Sequence, residues 1–412
     1  MKSMLLFGMA THLTKLVRSA DVKQEIDLLR EAGVTAIRTG FLWDRIEPVE
    51  GELHFDPVDE VVDLLRAAGI EILGTIARTP IWAGGDEKDG CFRFHPPREP
   101  EKFAAFSGKL AAHYRGRISA WEIWNEPNSN NFWYPEANPE SYMTLLRAAF
   151  NAIKEMAPET LVLHGGVACC REQRINFAFL EQLFRLGVAD CCDVVNVHPY
   201  SGPNVPEVEF DATFDRLAEL MHRYHCSKPV WLTELGTPIH HRFVRNETEQ
   251  AFHLVRHWLC AVKRPEIERI YWYDFRDDGT DPENFEHHFG VIDAGFRRKE
   301  AYFACREVTQ RLSSAAYRGE FILPDGSRVI RFRQSEEEWF LLYADSMHTR
   351  LLAGIDYGIS LFSMTGSPLP LYQKGNTIDL TIGPEPVRIA VSAENGDRIL
   401  QSLRNSVPLI GI

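Results

Sequence analysis

Two short segments hold acidic residues where a carboxylate could do chemistry. The first is Trp121-Glu122-Ile123-Trp124-Asn125-Glu126-Pro127-Asn128, and the second is Val230-Trp231-Leu232-Thr233-Glu234-Leu235-Gly236. Both read as strands, being rich in aromatic and β-branched residues. Side chains alternate along a strand, so Glu122, Trp124 and Glu126 share a face. Pro127, with no N–H to donate, then ends the ladder and leaves Glu126 at the rim. Glu234 falls at the end of its own strand in the same way. Two carboxylates at strand ends could act as general acid/base and nucleophile; the bland alternative is a rim salt bridge for each.

The elements needed to bring them together follow from the alternation of patterns. From Leu5 to about Gln310, β-branched or aromatic runs alternate with stretches of helical apolar spacing, the pattern of βαβ units. The strand candidates are Met4–Ala10, Ala36–Gly40, Glu71–Ala77, Ala120–Asn125, Leu161–Gly165, Val194–His198, Pro229–Glu234 and Arg269–Asp274. Ser19-Ala20-Asp21 opens a helix over Val22–Ala32, with Val22, Ile26 and Leu29 on one face and Gly33 as the stop. Pro57-Val58 opens another that ends at Gly69. This predicts an α/β chain folded as a (β/α)8 TIM barrel. The competing open, doubly wound sheet usually carries a glycine-rich turn after its first strand, whereas Gly8 is followed by Met9-Ala10-Thr11-His12. In a barrel, Glu126 and Glu234, 234 − 126 = 108 residues apart, face each other across the C-terminal mouth. Beyond Gln310 the runs become short and alternating, as in Arg328–Phe332, Trp339–Tyr343, Thr377–Ile382 and Val387–Val391, with turns at Pro324-Asp325-Gly326-Ser327 and Glu394-Asn395-Gly396-Asp397. The expected organisation is a catalytic barrel over residues 1–312 and a C-terminal antiparallel β-sandwich over 313–412, packed directly on it.

Trp124-Asn125-Glu126-Pro127 after the fourth strand and Thr233-Glu234 after the seventh resemble the clan A retaining glycoside hydrolases. Asn196-Val197-His198-Pro199-Tyr200 and the stretch from Tyr271 to Gly290 are most similar to glycoside hydrolase family 39 and its neighbours. The resemblance covers roughly residues 4–305. It implies that Glu126 is the general acid/base, Glu234 the nucleophile and Asn125 the ligand of the sugar 2-hydroxyl, in cleavage of an equatorial bond with retention. Tyr200 or a neighbour would hydrogen-bond the nucleophile. Retention needs the two carboxyls ~5 to 5.5 Å apart, one ionised and one protonated. Arg38, near the end of the second strand, is placed to hydrogen-bond the ionised Glu234; a buried pair with Glu122 would equally explain it. Around the carboxylates, Trp272 in the eighth strand is a candidate floor for the sugar ring, and His198 and Tyr200 follow the sixth strand. Trp43, Arg78, Trp82, His95 and Trp133 lie in the loops after strands two to four and are candidate subsite residues. Core or loop packing is the alternative for each of these.

The resulting expectation is an O-glycosidase, exo-acting on oligosaccharides or small glycosides. Alternatives are an endo-acting hydrolase with a groove lined by Trp43, Trp82 and Trp133, a transglycosylase sharing the intermediate, or a carbohydrate-binding protein without catalysis. No cofactor or metal is expected. The pairs His240-His241 and His287-His288 lack a third ligand at characteristic spacing, and the run Asp274, Asp277, Asp278, Asp281, Glu283 lacks the regularity of a calcium loop.

Composition narrows the partners. With 45 basic and 58 acidic residues the 412-residue chain carries a net charge of −13, which repels phosphate backbones and anionic lipid, so neither nucleic acid nor membrane is an expected partner. Homo-oligomerisation stays open. No run reaches the roughly 18 to 20 apolar residues of a membrane helix. Met1–Ala10 reads as a first core strand in preference to an export signal, which points to the cytoplasm. Eight cysteines without a C-x-x-C spacing, two pairs of them adjacent at Cys169-Cys170 and Cys191-Cys192, fit buried thiols of a reducing compartment.

Overall fold

The computed structural model describes residues 5–15, 18–84, 90–169, 173–406 and 408–409; Met1–Met4 of the N-terminal reading and Cys170 lie outside them. Nine parallel strands form one curled sheet: β1 (Leu6–Ala10), β2 (Ala36–Leu42), β3 (Glu71–Ala77), β4 (Ala120–Ile123), β5 (Leu161–His164), β6 (Val167–Ala168), β7 (Val195–His198), β8 (Val230–Leu235) and β9 (Ile267–Trp272). Their order is β5-β4-β3-β2-β1-β9-β8-β7-β6. β5 and β6 are halves of one stave broken at Gly165-Gly166: β5 pairs with β4, β6 with β7, and a bridge from Leu163 to Val194 joins the ends of the sheet. The sheet is therefore an eight-staved TIM barrel.

Helices α1 (Ser19–Glu31), α2 (Trp43–Ile46), α3 (Asp56–Ala67), α4 (Pro100–His113), α5 (Pro139–Met156), α6 (Phe177–Arg185), α7 (Phe210–Arg223), α8 (Glu247–Val262) and α9 (Glu300–Gln310) connect and surround the staves. Local sequence sets their starts. Asn138, Asn176 and Asn246 cap α5, α6 and α8, each side chain accepting the N–H three residues on, and Pro139 and Pro100 occupy first turns where no N–H is needed.

The two-residue period of the strands stacks the barrel interior in layers. An apolar plug at the lower end comprises Ala36, Leu73, Ala120, Leu163, Val194, Trp231 and Tyr271. Two residues further along six of these segments come Arg38, Thr75, Glu122, Asn196, Thr233 and Tyr273. A step of two keeps the inward face, so the polar layer sits directly above the plug. Another step brings Gly40, Ala77, Trp124 and His198. Small Gly40 and Ala77 leave space on the β2–β3 side, and both line the cavity at the barrel mouth.

The C-terminal region is antiparallel. One sheet has β10 (Ala316–Ile322), β11 (Arg328–Gln334), β12 (Glu337–Tyr343), β18 (Val387–Ser392), β14 (Ile359–Phe362) and β15 (Pro368–Leu369) in that order, and the second has β16 (Tyr372–Lys374), β17 (Thr377–Ile382), β13 (His348–Ala353) and β19 (Pro408–Leu409). The four segments legible in sequence are β11, β12, β17 and β18. Alternation in β12 serves two cores: Phe340 and Leu342 face the second sheet and helix α10 (Gly396–Asn405), while Trp339, Leu341 and Tyr343 join the barrel's core. At that contact Trp258 of α8 stacks on Phe332 with centroids 5.5 Å apart, and Arg256 forms a bidentate pair with Glu207. The sandwich thus packs directly on the barrel's outer helices.

Candidate active site

Neither rim carboxylate reaches the barrel mouth by simple alternation. β4 ends at Ile123, and Trp124 adopts φ = 70°, a left-handed conformation costly for a bulky residue; Glu126 follows at φ = 43°. This turn resets the parity, so that Asn125 as well as Glu126 faces the cavity. Trp124 is held by a hydrogen bond from Nε1 to the Phe132 carbonyl (2.6 Å) and by the Trp133 ring at 5.3 Å. In β8, pairing with β9 is irregular between Leu232 and Leu235. Such an irregularity re-aims side chains, and the neighbours Thr233 and Glu234 both point inward, Thr233 to Asn196 (2.7 Å) and Glu234 to Arg38 and Tyr200.

Below the carboxylates lies one connected network anchored on Glu122, which is fully buried. One oxygen of Glu122 accepts from Arg38 Nε (2.6 Å) and Thr75 (2.9 Å); the other accepts from Asn196 Nδ2 (2.8 Å) and the Gly166 N–H (3.0 Å). Arg38 carries this charge upward, donating through Nη1 to Glu234 Oε1 and through Nη2 to Asn125 Oδ1 (2.7 Å). Both sequence alternatives for Arg38, a partner in Glu234 and one in Glu122, are realised at once. Tyr200 donates to Glu234 Oε2 at 3.1 Å.

His198 is the second branch. Thr233 donates to Asn196 Oδ1, so its oxygen is left to accept from His198 Nε2–H at 2.9 Å, while His198 Nδ1–H donates to Glu126 Oε1 at 3.0 Å. Donation from both ring nitrogens is the pattern of an imidazolium. Burial, the largest single influence, opposes that charge. Glu234, together with the contacts to Glu122 and Glu126, outweighs it and holds the His198 pKa up at about 9. Burial pushes Glu126 above the usual carboxylate range; His198 opposes the shift and the Glu234 charge adds to it. For Glu122, burial also raises, but Arg38 and His198 prevail and hold it well below that range. One oxygen of Glu126, one of Glu234 and a ring nitrogen of His198 all lie within 4.8 Å of one another. Gly166 makes room for the ring, since a Cβ there would stand 2.0 Å from His198 Nε2.

The cavity above has a volume of about 800 Å³, with walls from the loops of every stave. Asn125, Glu126, Glu234, Arg38, Tyr200 and Arg78 line it. Several aromatic residues singled out in the sequence lie elsewhere. Trp272 falls between the inward residues Tyr271 and Tyr273; it is fully buried against His257 of the helix layer, at 5.7 Å between centroids. Tyr273 faces the cavity in its place. Trp43 is buried against Phe103, Phe106 and Trp82, and both indoles donate to Glu47. Trp133 packs behind Trp124 and on Tyr142, and His95 lies edge-on to Tyr134. The expected groove of Trp43, Trp82 and Trp133 is thus a set of indoles packed on other rings, and none of the three lines the cavity. Residues not singled out in the sequence, Tyr273, His12, Lys15, Phe289 and Glu286, complete the walls.

Two clusters among the described residues have the proximity to hold a cation: Glu126–His198–Glu234 itself, and His12–Asp274–Asp278 at the rim. In both, the atoms already face hydrogen-bonding partners, as in His12 to Asp278 at 3.2 Å and Tyr273 to Asp278 at 3.3 Å. The acidic run behaves as loop structure: Asp277 accepts from Lys299 and the Gly290 N–H, Asp274 from the Arg276 N–H and Asp281 from the Glu283 N–H. His287 and His288 bond within the same loop to the Asp281 backbone. Cys191, Cys192, Cys226, Cys260 and Cys305 are buried, unbridged thiols. No helix of the described residues is long and apolar enough to cross a membrane.

A family model, and not the fold alone, sets the class: the chain is a clan A glycoside hydrolase, an enzyme class that acts on carbohydrate with retention at the anomeric carbon. More particularly, the chain belongs to the cellulase family, glycosyl hydrolase family 5, whose family model matches residues 1–274. A family 39 glycoside hydrolase from Bacteroides cellulosilyticus shares the fold with a TM-score of 0.79 at 24% identity, over 95% of this chain and 81% of that one. The endo-1,4-β-xylanase B of Thermotoga neapolitana is 22% identical over 300 residues, 68% of this chain and 82% of that protein. A β-galactosidase of Bifidobacterium bifidum is 30% identical over 128 residues, 26% of this chain, and the match spans only 19% of that protein's length.

Proposed function

We propose that this hydrolase is a β-glycosidase in which Glu234 attacks the anomeric carbon and Glu126 is the acid/base. The observation that carries the reading is the pair of carboxylates within 4.8 Å at unequal stations. Glu234 is fixed by Arg38 and Tyr200, whereas Glu126 is disposed by burial to keep its proton. One oxygen of each lying within 4.8 Å of the other is compatible with the ~5 to 5.5 Å between carboxyl groups used in retaining hydrolysis. In the first step a Glu234 oxygen bonds to the anomeric carbon while Glu126 gives its proton to the departing oxygen. In the second, Glu126 takes a proton from water, the hydroxide bonds to the same carbon, and the Glu234 ester bond breaks. Asn125, oriented by Arg38, would hold the sugar 2-hydroxyl, and Tyr273 and Tyr200 would face the ring.

A cavity of about 800 Å³, within the ~300 to 1,000 Å³ range of small-ligand sites, favours exo action on oligosaccharides or small glycosides. The xylanase relative, matched over most of its length, favours endo action; product lengths from a defined oligosaccharide distinguish the two. We take residues 1–312 as the catalytic unit and 313–412 as an accessory sandwich. The test of the mechanism is incubation with 2-deoxy-2-fluoro glycosyl donors of several sugars, intact mass measurement and peptide mapping. A single adduct on Glu234, absent in Glu234→Ala, is expected. An adduct on another residue, or wild-type turnover by Glu234→Ala, refutes the assignment.

A further inference from the structure

The cavity wall contains two cations, Lys15 and Arg78, that make no ion pair among the described residues. Lys15 ends a short turn after β1, and Arg78 follows β3 directly in a left-handed conformation, φ = 69°. Both line the cavity on the side where Gly40 and Ala77 leave space. Among the described residues neither the Lys15 ammonium nor the Arg78 guanidinium has a hydrogen-bond or ion-pair partner; Arg78 only lies 5.8 Å from the Phe94 ring. The neighbouring carboxylates are otherwise engaged. Asp44 pairs with Arg93 at 2.8 Å, Asp278 with His12 and Tyr273, and Asp274 with the Arg276 N–H. Arg174, another cavity cation, spends its donors on the backbone carbonyls of Pro199, Pro206 and Val208.

Both unpartnered groups are held below their ordinary pKa. For Lys15 burial comes first, Asp278 opposes it and Arg78 adds to it; for Arg78 burial comes first, Asp44 opposes and Arg45 and Arg93 add. Half-buried like charges without partners are unfavourable, and they persist in folded proteins where a ligand supplies the counter-charge. In a chain of net charge −13 such a pair is not a by-product of a basic surface. Of the carboxylates facing the cavity, Glu286 is pushed up to about 7 by burial and by the Glu234, Glu126 and Asp278 charges, so near neutrality it opposes an anion only in part.

We propose that the saccharide accepted here carries an anionic substituent, a carboxylate or a sulfate ester, seated between Lys15 and Arg78. The proposal rests on the glycosidase reading of the cavity and names its substrate class: acidic sugars or acid-substituted oligosaccharides. Arg78 offers a planar fork for two oxygens and Lys15 a point charge, the combination suited to an oxyanion.

Binding separates this proposal from catalysis. Calorimetry on the Glu234→Gln protein would use oligosaccharide sets identical except for a neutral hydroxymethyl, a uronic acid carboxylate or a 6-sulfate, with wild-type hydrolysis of the same sets in parallel. An anionic member is expected to bind about tenfold more tightly than its neutral twin, the discrimination worth one charge-assisted bond. The advantage should shrink to within about twofold in Lys15→Met/Arg78→Met and on raising salt; thermal unfolding checks that the variant is folded. The carboxylate and sulfate arms identify the oxyanion. Neutral members bound as tightly as charged ones, a preference that survives the double substitution, or no binding of any member overturns the proposal. Tight binding of an anionic member without cleavage by the wild type leaves it standing and refutes the hydrolase assignment instead, whereas cleavage of neutral members alone does the reverse.

Discussion

Replacing His198 by Gln tests the electrostatic logic of the site, because that ring is the cation in contact with the proposed proton donor. His198 Nδ1 lies 3.0 Å from Glu126 Oε1. With the delocalised charges centred roughly 4.5 Å apart and an effective dielectric near 20, the attraction is about 4 kcal/mol, close to three pKa units. Water entering the vacated space returns part of it. Glu126 in His198→Gln should therefore hold its proton to higher pH, moving the alkaline limb of kcat/KM upward by roughly 1 to 3 units. The assay is a pH–rate profile with a poor leaving group, so that proton donation remains in the rate. A limb that stays in place, or moves down, in a folded variant refutes the assignment of the imidazolium and Glu126 as an interacting pair.

Stability supplies an independent reading of the same charge. The folded-state pKa of His198 is raised from 6.5 to about 9, so protonation favours the folded protein. That contribution, on the order of 3 kcal/mol, is complete below pH 6.5 and is lost as pH rises toward 9. Thermal unfolding of the wild type should lose stability across this window. In His198→Gln the loss attributable to this group should vanish.

Other substitutions separate wall from packing. Tyr273→Ala should raise KM or lower kcat at least about tenfold while leaving unfolding within about 2 kcal/mol, whereas Trp272→Phe should affect stability and leave KM unchanged; steady-state kinetics and calorimetry on both decide which residue faces the sugar. Gly166→Ala puts a methyl 2.0 Å from His198 Nε2 and should cost about 1 to 3 kcal/mol of stability together with most of the activity, a result contradicted if the variant titrates and turns over like the wild type. Trp258→Ala, at the stack with Phe332 between barrel and sandwich, should cost about 3 to 5 kcal/mol yet leave kcat unchanged below the unfolding transition; reduced kcat in the folded state would mean that the sandwich acts on the site.

What the residues revealed in advance, and what they hid, divides along physical lines. The barrel was legible because strand and helix impose different periods, two and 3.6, and because each stave keeps its own pattern; all eight expected staves are present, the fifth in two halves. The expectation that Pro127 ends the ladder and leaves Glu126 at the rim is replaced by an earlier break: the strand ends at Ile123, four residues before Pro127. Two breaks of the regular period were not legible: the left-handed Trp124, which turns Asn125 and Glu126 to the same side, and the irregular β8–β9 pairing that aims Thr233 and Glu234 together. Period-two counting assumes an unbroken strand, and this site is built where strands break. Trp272 shows the converse. Regular alternation holds there, and counting from Tyr271, one of the plug residues, would have turned Trp272 outward and Tyr273 inward, but the plug is defined only once all staves are aligned. For Trp43, Trp82 and Trp133 no count would suffice, because an indole in a loop has the same composition whether it meets a sugar or the ring behind it. Lys15 and Arg78 were hidden for a different reason: only the positions of Asp44, Asp278 and Asp274, each hydrogen-bonded elsewhere, set these two cavity cations apart from the paired ones around them.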